Sequence, residues 1–164
     1  MARKSAGGTP ATVALDEAGV AYTLHPYSHD PRSSRFGEEA AAALDVDRER
    51  IFKTLMADAA GELVVAVVPV AGQLDLKALA AAAGVKRAAL ADPAVAARTT
   101  GYVVGGISPL GQRARLRTFL DASAEQFETI FVSAGKRGLQ VELAPADLVR
   151  LTGAELALLG IPDR

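Results

Sequence analysis

Ile51-Phe52-Lys53-Thr54-Leu55-Met56-Ala57, a turn over Asp58 to Glu62 containing Gly61, and Leu63-Val64-Val65-Ala66-Val67-Val68-Pro69-Val70 form the stretch on which the fold depends. In the first run Ile51, Lys53 and Leu55 fall on one face of a strand and Phe52, Thr54 and Met56 on the other. The second run is apolar on both faces, which predicts a central strand paired with the first as a hairpin.

Upstream of this hairpin, Thr9 and Pro10 form an N-cap and N1 pair for a helix that stops at Gly19. Val20 to His25 predicts a strand, Pro26 to Arg35 a loop, and Gly37 to Leu44 a short Ala-rich helix with Glu38 and Glu39 at its positive end. Downstream, Asp75 to Ala83 closed by Gly84, and Asp92-Pro93 through about Arg98, predict two more helices around ordinary capping signals. Val103 to Gly111 reads as a Gly-rich loop. Arg117 to Leu120, Glu128 to Ser133 and Leu139 to Leu143 predict strands, with Gly135 to Gly138 as the turn joining the last two, and Pro145 to Leu151 predicts a closing helix. Strands and helices mix without a steady βαβ repeat, so the pattern predicts an α+β domain on a mixed sheet and not a doubly wound parallel one.

The 164 residues, half of them hydrophobic, are one domain's worth and can bury a core without metals or disulfides. Residues 1–8 read as a disordered N-terminal tail and not as a secretory signal, leaving residues 9–164 as the domain. The longest uncharged apolar stretch, Leu63 to Leu74, contains Pro69 and falls well short of the roughly 20 residues a membrane helix needs. With 18 Lys and Arg against 19 Asp and Glu, a generally basic nucleic-acid coat is excluded, and such a partner must meet a local patch. The absence of Cys removes thiolate metal sites and Cys nucleophiles, and is compatible with a reducing cytoplasm.

Few residues remain to carry chemistry. His25 and His29 have a helical metal-ligand spacing, but Pro26 argues against a helix there, and no metal site is expected. No G-x-S-x-G elbow supports a Ser-His-Asp triad. Lys53 is a lone ammonium on an apolar strand face. It either guards an edge strand or snorkels to water, or it lines a pocket and meets a phosphate, a carboxylate or a developing oxyanion. Gly105-Gly106-Ile107-Ser108-Pro109-Leu110-Gly111 is neither a Walker loop nor a dinucleotide fingerprint, so no nucleotide cofactor is expected; it is an ordinary connection or a wall that brings backbone close to a ligand. Arg113, Arg115 and Arg117 would form one basic row in an extended segment, with Lys136 and Arg137 as company at a turn. That set is either a solvated face or a contact to a few phosphates of a terminal or single-stranded nucleic acid.

Taken together, Val68-Pro69-Val70-Ala71-Gly72-Gln73-Leu74-Asp75-Leu76-Lys77, Asp92-Pro93, the run from Arg98 to Gln112 and Gly135-Lys136-Arg137-Gly138-Leu139 closely resemble the YbaK/EbsC family, over about Thr9 to Leu151. The resemblance implies a curved mixed β-sheet flanked by helices, and a free-standing relative of the editing domain inserted in bacterial prolyl-tRNA synthetases. The implied activity is deacylation of Cys-tRNA(Pro), extending to Cys-tRNA(Cys), with the substrate's own thiol attacking the ester. A synthetase pocket made for proline discriminates weakly against a similar-sized residue, which is why a second site is needed.

Lys53 matches the family's functional lysine. Tyr27, Phe36, Gly105, Gly106, Ile107, Ser108, Pro109, Gly111 and Ser133 match its pocket, and Arg113, Arg115, Lys136 and Arg137 are the expected phosphate contacts. Gln140 departs from the acidic residue common at its position. The implied partners are the aminoacylated acceptor end of tRNA(Pro) and prolyl-tRNA synthetase in a ternary complex, with no cofactor, metal or membrane and a cytoplasmic location. The competing readings are an Ala-tRNA(Pro) deacylase and a non-catalytic module that binds tRNA or a synthetase.

Overall fold

In the computed structural model, which describes residues 8–162, the tail expected over residues 1–8 lies outside the described residues except for Gly8. Helix α1 (Pro10–Ala18) starts where the sequence places it. The Thr9 hydroxyl accepts from the Thr12 amide at 3.2 Å, the Thr12 hydroxyl accepts from the Thr9 amide at 3.0 Å, and Thr9 Oγ1 also donates to the Ala134 carbonyl. Strand β1 (Tyr22–Pro26) and helix α2 (Phe36–Leu44) follow.

The hairpin is β2 (Phe52–Ala59) and β3 (Glu62–Pro69). Its strands run further into the expected turn than the sequence reading placed them. Only Ala60 and Gly61 turn, both at positive φ (54° and 93°), and the Asp58 carboxylate accepts from the Gly61 amide at 2.7 Å. Such a two-residue turn matches the twist of the flanking strands and keeps their pairing in register.

Strand β4 (Gly72–Leu74) and helix α3 (Leu76–Ala83) come next, the helix capped by Asp75. After them are β5 (Ala88–Leu90), α4 (Pro93–Thr100) capped by Asp92, β6 (Thr118–Asp121) and a 3-10 turn over Ala122–Gln126. The chain continues with β7 (Ile130–Lys136), β8 (Leu139–Leu143), α5 (Pro145–Thr152), β9 (Glu155–Ala157) and β10 (Gly160–Pro162).

The architecture is α+β. A mixed five-stranded sheet has the order β5-β2-β3-β6-β9, antiparallel around the hairpin and parallel from β3 to β6 to β9. A second sheet, β1-β8-β7, is joined to it by the parallel bridge Ile51 to Phe131, and β4 pairs with β10. Strand β3 is central, as its composition demands: Val64 through Val68 are fully buried. Val65 and Val67 pack in one cluster with Leu15, Phe52, Met56, Val132 and Val141; Val64, Ala66 and Val68 pack in another with Leu79, Phe119 and Leu159. Each of these side chains larger than alanine contributes about 1.5–3 kcal/mol of burial, so the hairpin holds the two layers together.

Asp121 fastens the C-terminal segment. Its carboxylate accepts from the amides of Leu159 (2.7 Å), Gly160 (2.9 Å) and Ser123 (3.2 Å). Burial alone would raise its pKa, but these bonds and that from the Ser123 hydroxyl more than offset the effect and hold it below the usual carboxylate range.

Candidate active site

Strand β5 pairs with β2 only at Ala57 to Ala59, and the last contact on that side is the Ala91 amide donating to the Met56 carbonyl at 2.9 Å. Ahead of that point the edge of β2 from Phe52 to Met56 opens on a cleft of about 530 Å³. Helix α2 contributes Phe36 to its wall, the Gly-rich loop Gly105 and Ile107, the second sheet Ser133 and Gln140, and α4 Pro93 and Ala96.

Lys53 is half-buried at this edge and donates from Nζ to the Gly72 carbonyl at 2.7 Å. It is at once an edge-strand lysine and a cation on the cleft wall, so the two readings of the sequence describe one position. Thr54, its neighbour on the opposite strand face, lines the same cleft. A cleft that wraps the edge of a strand meets both faces, and period-two alternation carries no sign of that.

The structure brings six of the expected pocket residues together on the cleft: Phe36, Lys53, Gly105, Ile107, Ser133 and Gln140. Tyr27 stands behind them. Burial pushes its phenol pKa up, opposed by hydrogen bonds from the Gly138 amide and the Gln140 side chain. Gly106, Ser108, Pro109 and Gly111 are not on the cleft wall.

The room the loop glycines clear is filled by the protein itself. A Cβ on Gly105 would lie 2.7 Å from the Phe36 ring, one on Gly106 2.8 Å from Lys136 Cα, and one on Gly111 2.4 Å from the Pro10 carbonyl oxygen. Ser108 is buried, its hydroxyl accepting from the Leu110 amide at 3.2 Å, and Pro109 is buried beside it. Close packing against Phe36, α1 and the β7–β8 turn therefore accounts for these glycines, and the part of the loop on the cleft wall is Val104, Gly105 and Ile107.

The basic set divides as well. Arg113 donates to the Arg98 carbonyl at 3.4 Å near the end of α4, and Arg117 donates to the Ala83 carbonyl at 3.0 Å at the end of α3. Arg115 reaches Gly153, the C-cap of α5. These side chains meet the negative ends of three helices, where cations stabilise unsatisfied carbonyls. Arg137 stands behind two residues of the cleft wall instead: its guanidinium lies 4.8 Å over the Phe36 ring and donates to the Val104 carbonyl at 2.9 Å. Lys136 beside it is exposed.

The two histidines have separate partners. His29 pairs with Glu39 at 2.6 Å, and that carboxylate also accepts from the Asp30 amide, fastening the loop ahead of α2. His25 meets Glu142 at 2.9 Å, where Thr129 and Arg50 also bind the carboxylate. The Thr129 hydroxyl first, and then His25 and Arg50, hold Glu142 below the usual carboxylate range. Among the described residues no helix is long and apolar enough to cross a membrane.

A cleft at a sheet edge, whose wall shows polar and apolar groups in nearly equal measure with the Lys53 ammonium among them, can bind a polar group while covering apolar atoms beside it. The profile of the family described as aminoacyl-tRNA editing domain matches residues 32–151. The chain belongs to that family, and it is an aminoacyl-tRNA editing deacylase that acts on mischarged tRNA.

It is 43% identical over 122 residues to EbsC of Enterococcus faecalis (strain ATCC 700802 / V583), described as a candidate Cys-tRNA(Pro)/Cys-tRNA(Cys) deacylase, covering 73% of this chain and 74% of that one. It is 27% identical over 143 residues, 87% and 86% of the two chains, to the multifunctional Ser/Thr-tRNA deacylase ProXp-y of Escherichia coli (strain K12). The fold matches a crystal structure described as that of a candidate trans-editing enzyme for prolyl-tRNA synthetase, with TM-score 0.82 at 24% identity over 97% of this chain and 99% of that one.

Proposed function

We propose that this chain clears cysteine from mischarged tRNA(Pro), and from Cys-tRNA(Cys), by release assisted by the substrate's own thiol. The observation that carries the reading is Lys53 on the cleft wall of a chain with no cysteine of its own. The cysteinyl sulfur attacks the ester carbonyl carbon and gives up its proton, and a tetrahedral oxyanion forms. The bond from that carbon to the ribose oxygen then breaks, the ribose oxygen takes the proton, and a cyclic thiolactone leaves. The protein's part is to hold the thiol near the carbonyl and to stabilise the oxyanion, with Lys53 as the charged donor. Phe36, Gly105, Ile107, Ser133 and Gln140 enclose the aminoacyl group, with Tyr27 behind Gln140, and Lys136 and Arg137 meet the phosphates of the acceptor end. Prolyl-tRNA synthetase delivers the tRNA in a ternary complex in the cytoplasm.

The test compares release of Cys, Ala and Pro from tRNA(Pro) with spontaneous hydrolysis. Fast loss of Cys, with thiolactone among the first products and with Ala and Pro at the spontaneous rate, is expected. Fast loss of Ala would make the chain an alanine deacylase, and spontaneous rates for all three would make it a binding module.

A further inference from the structure

Lys53 is anchored from outside its own hairpin. Its Nζ donates to the Gly72 carbonyl at 2.7 Å, and Gly72 is buried at the start of β4, on the cleft wall. Ahead of Gly72 the chain is tied to the segment leading into β2, by the Val70 amide on the Ile51 carbonyl and the Ala71 amide on the Arg48 carbonyl, each at 2.9 Å. Beyond it the chain is held by β10, which pairs antiparallel with β4 in the register Gly160 to Leu74, Ile161 to Gln73 and Pro162 to Gly72. The same register sets Leu159 opposite Asp75, where the Asp75 amide donates to the Leu159 carbonyl at 2.7 Å. Bonded and non-bonded pairs alternate along an antiparallel ladder. Ile161 and Gln73 are therefore the next bonded pair, while Gly160, Leu74, Pro162 and Gly72 turn their polar groups away from the partner strand. Two observations agree with this. The Gly160 amide goes to Asp121 at 2.9 Å, and proline, which has no N–H, stands at 162, where the ladder needs none. The Gly72 carbonyl, turned out of the ladder, accepts from Lys53 instead.

Resting on the reading of Lys53 as the oxyanion donor, we propose that β10 positions this lysine for the reaction. Ile161 is its positioning residue, acting through its backbone bond to Gln73, which sets Gly72 and so the acceptor of the ammonium. A lysine ammonium on a flexible four-carbon stem has many directions open to it. The Gly72 carbonyl takes one of its three donors and fixes Nζ on the cleft wall before substrate arrives, and a donor set in place beforehand is what oxyanion stabilisation requires. The Asp121 clamp is separate, since it binds the Leu159 and Gly160 amides and involves neither the Leu159 carbonyl nor Ile161.

The experiment uses Ile161→Pro, which removes the Ile161 N–H, and a chain ending at Gly160, which removes the same bond by another route. Thermal melting sets an assay temperature at which each variant is folded. Single-turnover deacylation of Cys-tRNA(Pro) at saturating protein should fall about tenfold in both, the scale of one lost hydrogen bond. Binding of a hydrolysis-resistant cysteinyl 3′-amide adenosine analogue, measured by calorimetry, should stay at the wild-type value. Ile161→Val, which keeps the N–H, and Asp121→Ala, which keeps the pairing of residues 161 and 73, should both keep the rate. In a Lys53→Ala background Ile161→Pro should cost nothing further, because the strand acts only through that side chain. Nitrogen-15 relaxation of the Lys53 ammonium should show it ordered in the wild type and mobile in Ile161→Pro. A wild-type rate in Ile161→Pro, an equal loss in Asp121→Ala, or an equal further loss in the Lys53→Ala background overturns the proposal. An ammonium that stays ordered in Ile161→Pro overturns it whatever the rate. If the ammonium loosens as expected but Lys53→Ala deacylates at the wild-type rate, the anchor stands and the reading of Lys53 as the oxyanion donor fails.

Discussion

Asp121 and Gln140 are both polar and both nearly buried, at 5% and 7% exposure, yet they are used in opposite ways. Around Asp121 the protein supplies three amides and a hydroxyl, and the result is a clamp that fastens residues 159–160 to the main sheet. Around Gln140 it supplies one partner and leaves an oxygen on the wall of a cleft. A buried polar group that is fully satisfied holds the scaffold together, whereas one left incomplete lacks a partner that the fold itself does not supply. The arginines divide in the same way: Arg113 and Arg117 meet carbonyls at helix ends, and Arg137 lies over Phe36 at the cleft.

The largest effect expected from breaking this division is on the cleft side. Lys53→Ala should fold with its melting temperature unchanged and lose about 10²- to 10³-fold in deacylation rate, the scale of one lost oxyanion donor. Lys53→Arg should recover little of it, because a planar fork does not reproduce a compact ammonium. A Lys53→Ala rate within a few-fold of wild type, measured on Cys-tRNA(Pro), would leave this lysine only its edge-strand role.

On the scaffold side the signs reverse. Asp121→Ala should lower stability by about 3 kcal/mol in a urea titration, since several buried donors lose a charged acceptor, with the deacylation rate below the melting range unchanged. Gly106→Val should cost about 1–3 kcal/mol by forcing a side chain against the Lys136 backbone. A Gly106→Val chain of full stability that fails to deacylate would return this glycine to the ligand wall.

A smaller effect concerns pH. Glu142 is held below its ordinary value of 4.5, chiefly by Thr129 and then by His25 and Arg50. The stability it contributes is therefore complete above about pH 4.5 and lost as the pH falls through its lower folded value. Glu142→Gln should flatten this acid limb in melts from pH 7 to 3 and leave the Asp121 clamp in place. An acid limb unchanged in the variant would remove Glu142 from the account. Smallest of all, Lys136→Ala and Arg137→Ala should each reduce the salt slope of tRNA binding by about one, while Arg113→Ala should leave it unchanged. An equal change from Arg113 would restore it to the phosphate set.

The comparison also marks what could be read from residues alone. Helices were legible because their ends carry local signals, Asp75, Asp92 and Thr9 at the start and glycines at the stop, and the central strand because β3 is apolar on both faces. Strands β4, β5, β9 and β10 are three residues each. They show no periodicity, and tertiary pairing alone defines them. Lys53, Ser133 and Gln140, singled out through family resemblance, fall together on the cleft wall. Thr54 was not singled out, because alternation sets it on the face opposite Lys53. The arginine row was visible as a row, but the three helix ends it meets are brought to it only by folding.

The measurement that tests the central claim most directly is a titration of the isotope-labelled chain with the cysteinyl 3′-amide adenosine analogue, followed residue by residue by nuclear magnetic resonance. The account predicts that amides of residues 52–56, of Gly105 and Ile107, and of Ser133 and Gln140 shift together, while those of Ser123, Leu159 and Gly160 around Asp121 stay still. Shifts centred instead on the second groove, lined by Phe127, Pro145 and Val149, with the β2 edge unmoved, would contradict it.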